Sequence, residues 1–342
     1  MTVAEFLLTP LAVVYGAVAR LRAYAYKRGT FRVRRLTGCV IGVGNLTTGG
    51  TGKTPMVIWI AEKLAASGKR VGILTRGYRG QNFADRGSTS DEVRMMAEHL
   101  GDAVTFGVGA DRYEQGTKLA QKGVEWFVLD DGFQHMKLAR DVNMVLVDAT
   151  NPFGGRRLLP AGRLREPRSA LGRADIVVVT RSAHAPAVEA AVRHETAAPI
   201  FYAETALRAV RRISGTGPEV ISPAEVARSG DGTDVRWFAF SGIGNPNAFA
   251  SNLKQWGFKL AGRRQFPDHH RYAAADVREV ANAATRAGAG RLICTEKDKF
   301  NLPAEADFAM PVYFCEIAMM PTDEEALWQA ILDRAVASGH SP

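Results

Sequence analysis

Lys53-Thr54, set directly behind Gly49-Gly50-Thr51-Gly52, is a pairing that chemistry uses to hold polyphosphate. A glycine loop of this kind turns backbone N–H groups toward phosphate oxygens at a helix N-terminus. Lys53 then reaches the β- and γ-phosphates of a nucleoside triphosphate, and the Thr54 hydroxyl ligates Mg²⁺. The expected nucleotide-lining residues are Thr47, Thr48, Gly49, Gly50, Thr51, Gly52, Lys53 and Thr54. The standard pattern has Gly at position 47, where this chain has Thr47. The signature-lysine variant has Lys at position 48, where it has Thr48. The overlapping Gly42-x-Gly44 would need a third glycine at Thr47 and makes no dinucleotide fingerprint.

A second group of residues suits a metal. Val128-Leu129-Asp130-Asp131 is an apolar run ending in two carboxylates, one of which would hold Mg²⁺ directly or through water. Adjacent acids at a strand end also make turns and helix caps. Gln134 and His135 follow closely; a lone histidine is more often structural, but this one stands beside two acids. Ser90-Asp91-Glu92 opens a helical pattern, and on the residues alone Asp91 reads as its N-cap. Leu158 to Pro167 reads as a loop with Arg163, Arg165 and Glu166, whose arginines fit either a bidentate phosphate clamp or solvated charge. In Asp268-His269-His270 consecutive side chains diverge, so one histidine assisting proton transfer is simpler than a three-ligand metal site. Thr295-Glu296-Lys297-Asp298 lacks the residue order of a guanine-specificity element, which disfavours GTP.

The elements that must position these groups can be read from the apolar runs. Runs at 39–43, 71–75, 126–130, 143–148 and 175–180 alternate with helical patterns. Runs so continuously apolar predict a parallel sheet with helices on both faces, with ligands at the carboxyl ends of its strands. The glycine loop, Thr75-Arg76 and Asp130-Asp131 all fall at such ends. The stretch 213–234, rich in Gly, Ser, Pro and Asp, reads as a hinge. A smaller α/β unit with runs at 237–241, 291–295 and 312–315 follows it. The expected organisation is therefore an N-terminal helix and basic anchor over 1–30 and a P-loop domain over 31–212. The hinge, a smaller domain over 235–330 and a tail over 331–342 complete it, with the substrate cleft expected between the two domains.

The net charge of +9 points to an anionic partner. Its distribution narrows the choice: Arg20, Arg22, Lys27, Arg28, Arg32, Arg34 and Arg35 face a single acid, Glu5, in the first 36 residues. Ahead of them Phe6–Ala19 is an uncharged run of 14 residues, too short to span a bilayer and without the basic start of a secretory peptide. Thr9-Pro10 reads as N-cap and first helical residue. An interfacial helix with a polybasic end, lying on a cytoplasmic leaflet, is the physical reading. A helix packed on the protein's own core with a solvated basic end is the alternative. No aromatic-interleaved basic stretch argues for nucleic acid. Three scattered cysteines, Cys39, Cys294 and Cys315, read as reduced core residues.

Taken together, these segments resemble the tetraacyldisaccharide 4′-kinases of Gram-negative bacteria. The matching stretches are Gly44 through Pro55, Thr75-Arg76-Gly77-Tyr78, Ser90-Asp91-Glu92, Asp130-Asp131-Gly132-Phe133-Gln134-His135 and Leu159 through Glu166. Phe266-Pro267-Asp268-His269 and Thr295-Glu296-Lys297-Asp298 complete the series in family order. Val93 stands where Pro usually follows Asp-Glu, and Phe133 where some members carry Leu; neither change removes a functional side chain.

The resemblance implies a P-loop fold, ATP and Mg²⁺ as cofactors, and an acylated glucosamine disaccharide 1-phosphate as acceptor. Phosphate would pass to the 4′-hydroxyl to give lipid IVA at the cytoplasmic face of the inner membrane, with no obligate protein partner. It further implies that Lys53 cradles the phosphates and that Thr54 and Asp130 hold Mg²⁺, helped by Asp131, Gln134 or Glu166. Arg76, His135 and Arg165 become substrate or phosphate contacts. Asp91 rises from helix cap to candidate base, paired with His269 when the lobes close. The competing class is a regulatory NTPase or metallochaperone-type switch, which usually needs the loop lysine or the guanine motif that this chain lacks.

Overall fold

Each apolar run becomes a strand, because a parallel sheet covered on both faces buries every residue of its inner strands and not alternate ones. The computed structural model describes residues 3–77, 90–213, 219–228, 235–303 and 309–341, with side chains from Leu8 onward. Its contacts divide the chain into Met1–Thr205 with Met319–Pro342, and Ala206–Ala318. Tyr78 of the matching stretches, and residues 214–218 and 229–234 of the expected hinge, lie outside the described residues.

In the first unit, α1 (Val3–Lys27) leads to β1 (Cys39–Asn45), α2 (Lys53–Ala66), β2 (Val71–Thr75) and α3 (Asp91–Leu100). Then come β3 (Val104–Val108), α4 (Arg112–Gln121), β4 (Trp126–Asp130), β5 (Val142–Asp148), β6 (Ile176–Thr180), α5 (Pro186–Arg193) and β7 (Ile200–Arg212). The strands pair in parallel in the order β7-β6-β5-β1-β4-β2-β3. From β1 the chain skips to β2 and β3, returns to β4, and then moves to β5 on the other side of β1. Strand β1 is thus the reversal point, where a crevice opens at the carboxyl ends of the strands. Val40, Leu74, Phe127, Leu129 and Leu138 pack one core of this unit; burying one such side chain contributes roughly 1.5–3 kcal/mol.

The second unit holds β8 (Val220–Ile221), α6 (Pro223–Arg228), β9 (Trp237–Ser241), α7 (Pro246–Gln255), β10 (Leu260–Gln265) and α8 (Ala274–Arg286). After these come β11 (Arg291–Thr295), the short α9 (Glu296–Lys299) and β12 (Val312–Pro321). Strands β10-β9-β11-β12 are parallel neighbours, and β8 pairs antiparallel with β7. Trp237 packs edge-on against Phe258 and Tyr313, with ring centroids 5.2 and 5.3 Å away. Strand β12 returns the chain to the first unit, where α10 (Glu324–Ala337) follows.

Several details differ from the sequence reading. The unit borders fall inside β7 and β12, so the 213–234 stretch lies within the second unit and continuous strands carry the chain across. Helix α1 begins at Val3 and contains Pro10, which is not its first residue. A proline gives up one hydrogen bond to the preceding turn but does not forbid helix upstream of it. Strands β3 and β10 end their strand orders and are partly exposed, so polar residues interrupt any apolar run. The three cysteines are free and buried; burial and nearby Asp141 push the Cys39 thiol up to about 12.

Candidate active site

The glycine loop is shaped at both ends by glycine. At Gly44, near the end of β1, an added Cβ would lie 2.5 Å from the Phe133 Cβ, so only glycine lets the Asp130-Asp131-Gly132-Phe133 turn approach. Gly52 adopts φ 88° as it starts α2 and offers that helix no side-chain cap. Ser90, Asp111, Asn245 and Asp323 cap other helices. The first N–H groups of α2 are thus left to a ligand, and an anion there also meets the positive end of the helix dipole. The Thr51 hydroxyl is buried with no protein partner, as expected where a ligand supplies one.

Two distant segments hold this loop. The Thr48 N–H donates to the Arg163 carbonyl and the Arg165 N–H to the Leu46 carbonyl, both at 2.7 Å. The 158–166 segment therefore lies as a short ladder along the loop, joined by the Thr47–Leu164 bridge. From the end of β6, the Thr180 hydroxyl donates to the Thr51 carbonyl at 3.0 Å. Arg181, in the left-handed region at φ 64°, donates to the Gly50 carbonyl at 2.7 Å and pairs with Asp148.

The two carboxylates at the end of β4 have different surroundings. Asp130 is buried and accepts a hydrogen bond from the Thr75 hydroxyl at 3.2 Å. Burial, with Glu92 and Asp131 nearby, pushes its carboxyl up to about 6, against the opposing pull of Lys53. Asp131, at φ 49°, lies 3.6 Å from Lys53 and receives Arg165 Nη1 on both oxygens at 2.9 and 2.7 Å. Burial would raise its carboxyl, but Lys53 and Arg165 outweigh it and hold the group below the usual carboxylate range. The Lys53 ammonium also donates to Asn45 Oδ1 at 3.1 Å. Gln134 donates to the Asn45 carbonyl at 2.9 Å and accepts from Arg165 at 3.4 Å.

The remaining expected residues divide. Asp91 is buried as the first residue of α3, and the cap is its neighbour Ser90, whose hydroxyl accepts from the Val93 N–H at 3.3 Å. The serine precedes the helix in extended backbone, the geometry that capping needs. Glu166 is buried, with its two oxygens 3.0 and 2.9 Å from Arg173. Burial, then Arg112 and Arg140, lowers the His135 imidazole to about 4, so it is neutral at physiological pH. Arg76 is exposed after β2 and acts with burial to lower the Arg112 guanidinium, which Asp130 and Asp131 oppose. Arg112 and Arg181 escape sequence reasoning; the one available signal, for Arg181, was its position after the apolar run 175–180.

In the second unit His269 sits at φ 58°, its ring 4.0 Å from Asp268 and its N–H donating to the Gly242 carbonyl at 2.9 Å. His270 turns elsewhere, to Asp276 at 3.0 Å and onto the Phe266 ring. The two histidine side chains therefore diverge. Asp298 is buried beneath the loop and accepts from the Gly242 N–H and the Tyr272 hydroxyl, both at 2.8 Å. Asp298 thus braces the histidine loop directly at Tyr272 and, through Gly242, at His269.

A glycine loop on an uncapped helix, facing a lysine and a buried strand-end carboxylate, is what phosphoryl transfer requires. The family model for tetraacyldisaccharide-1-P 4′-kinase (LpxK) matches residues 4–336. The chain belongs to that family. A tetraacyldisaccharide 4′-kinase of Geobacter sulfurreducens is 39% identical, the match covering 95% of this chain and 92% of the relative. One from Geobacter metallireducens is 41% identical, over 95% of this chain and 96% of the relative. The crystal structure of LpxK from Aquifex aeolicus in complex with ATP superposes with a TM-score of 0.69 at 29% identity. That match covers 97% of this chain and 99% of the other. As in that family, the fold is α/β, a mostly parallel sheet flanked by helices.

Proposed function

We propose that this chain transfers the γ-phosphate of ATP to the 4′-hydroxyl of a tetraacylated glucosamine disaccharide 1-phosphate, giving lipid IVA in lipid A synthesis. The observation that carries the reading is the uncapped N-terminus of α2 beside Lys53 and Asp130 in a chain of the 4′-kinase family. Lys53 and the loop backbone bind the phosphates. Thr54 and Asp130, helped by Asp131, Gln134 or Glu166, would supply an all-oxygen donor set suited to a hard cation such as Mg²⁺. Bound there, Mg²⁺ supplies neutralisation of phosphate charge. Arg76, Arg165 and neutral His135 serve substrate or phosphate contact. Asp91 accepts the proton of the 4′-hydroxyl, and His269 serves the same proton transfer.

The acceptor does not leave its membrane, so the enzyme must meet it there. No helix among the described residues is long and apolar enough to cross a bilayer. Helix α1 instead buries Ala12 and Gly16 and exposes Leu11, Val14, Val18 and Leu21, with Arg20, Lys27 and Arg28 beyond. That pattern suits a helix lying in the cytoplasmic leaflet of the inner membrane. Mass spectrometry of the lipid product tests the assignment: one added phosphate on the non-reducing sugar is expected, and none from Lys53→Ala. ADP release equal with and without acylated acceptor would instead establish the regulatory-NTPase reading.

A further inference from the structure

Two side chains of α1 reach the site by separate routes. The Tyr15 hydroxyl donates to the Arg165 carbonyl at 2.9 Å, and Arg22 Nη2 donates to the Gln134 carbonyl at 3.1 Å. The two residues are two helical turns apart and so share a face. Between them Gly16 meets the 158–166 segment so closely that an added Cβ would lie 2.5 Å from Leu158 Cδ1. The Arg22 guanidinium also rests over the Tyr26 ring at 5.8 Å.

The two carbonyls belong to residues whose side chains already touch. Arg165 reaches Gln134 Oε1 at 3.4 Å while gripping both oxygens of Asp131. Gln134 holds the Asn45 carbonyl, and Lys53 lies between Asn45 and Asp131. One face of α1 therefore grips the main chain of the two residues that fix the partners of the phosphate-binding lysine. The apolar stripe Leu11, Val14, Val18 and Leu21, each more than half accessible, adjoins that face, with Leu11 and Val18 one turn before Tyr15 and Arg22. Few residue pairs lie between the apolar stripe and Lys53.

We infer that Tyr15 and Arg22 are positioning residues that link the seating of α1 on acylated lipid to the placement of Arg165, Asp131 and Lys53. The inference rests on the lipid-kinase reading and adds a regulatory link to the same site. It requires that the helix do more than concentrate the enzyme on a surface: turnover of bound substrate must depend on its two inward hydrogen bonds.

The test uses the full chain with acylated disaccharide 1-phosphate in phosphatidylethanolamine–phosphatidylglycerol vesicles. Tyr15→Phe removes one hydroxyl, no charge and little apolar surface. We expect it to lower kcat about 5–10-fold, the scale of one hydrogen bond. Combined with Arg22→Gln the loss should reach roughly 30-fold, with vesicle co-sedimentation and the KM for acylated acceptor within about 2-fold of wild type. Val14→Ser with Leu21→Ser should instead lose vesicle binding and raise that KM. A Tyr15→Phe enzyme with wild-type kcat, or one altered only in KM, overturns the inference. Wild-type protein without lipid-dependent turnover overturns the kinase reading itself. If the double variant melts below assay temperature, Tyr15→Phe alone decides the question.

Discussion

Two buried carboxylates, each beside the carboxyl end of a parallel strand, separate chemistry from scaffolding. Asp298, after β11, accepts from the Gly242 N–H, the Tyr272 hydroxyl, and the Thr295 N–H and hydroxyl. Asp130, closing β4, accepts from the Thr75 hydroxyl and faces Lys53 across a crowd of other acids. Burial raises both carboxyls; at Asp298 hydrogen bonds do the opposing, while at Asp130 a cation does most of it. A carboxylate wrapped in donors is committed to the fold. One left under-solvated beside a glycine loop is matched to a ligand that brings positive charge.

The sharpest way to break this contrast is Asp130→Asn. Turnover should fall roughly 1,000-fold, while the folded state keeps or gains stability because a buried charge has gone. Turnover within ten-fold of wild type, measured at saturating ATP, acceptor and Mg²⁺, would remove Asp130 from the metal site. A second, smaller effect concerns pH. In metal-free buffer the unfolded Asp130 carboxyl releases its proton near 3.8, while the folded one keeps it to about 6. Across that window the folded state binds more protons, so raising pH weakens it, by at most about 3 kcal/mol. Urea melts at pH 4 and pH 6.5 should show this slope reduced in Asp130→Asn; an equal slope in both proteins would place the proton elsewhere. The smallest effect is at the scaffold. Tyr272→Phe removes one of several donors to Asp298 and should cost about 1 kcal/mol, read as a lowered melting temperature. Its Mg²⁺ dependence should stay that of wild type.

Local pattern and distant contact divide what the sequence makes legible. The glycine loop, Lys53-Thr54 and Asp130-Asp131 are contiguous, and their strands are buried on both faces, so periodicity and motif expose them together. Arg181 was invisible because its partners, the Gly50 carbonyl and Asp148, lie 131 and 33 residues away. Arg112 was hidden for a different reason: β3 before it is only partly buried, with Thr105 exposed, at the end of the strand order. Thr295 to Asp298 was legible as a motif, but its nearest formal likeness was a base-recognition element. Its bracing of a histidine loop 26 residues upstream of Asp298, at Tyr272, needed the fold. Ser90 and Asp91 differ by one position in a pattern where either can cap, and only backbone geometry separates them.

The late return of the chain through β12 has a consequence for biosynthesis. Met319 lies against Gly52, near enough that an added Cβ there would be 2.8 Å from its methyl. Trp328 of α10 packs edge-on against Trp59 of α2, and Glu324 pairs with Lys63. The nucleotide loop and its helix, made among the first residues, are thus covered by residues that the ribosome makes after the whole second unit. At roughly 5–20 residues per second, that interval lasts on the order of tens of seconds. During it the apolar side of α2 waits without its cover, so a nascent chain stalled inside the second unit carries a phosphate loop that is translated but not yet packed.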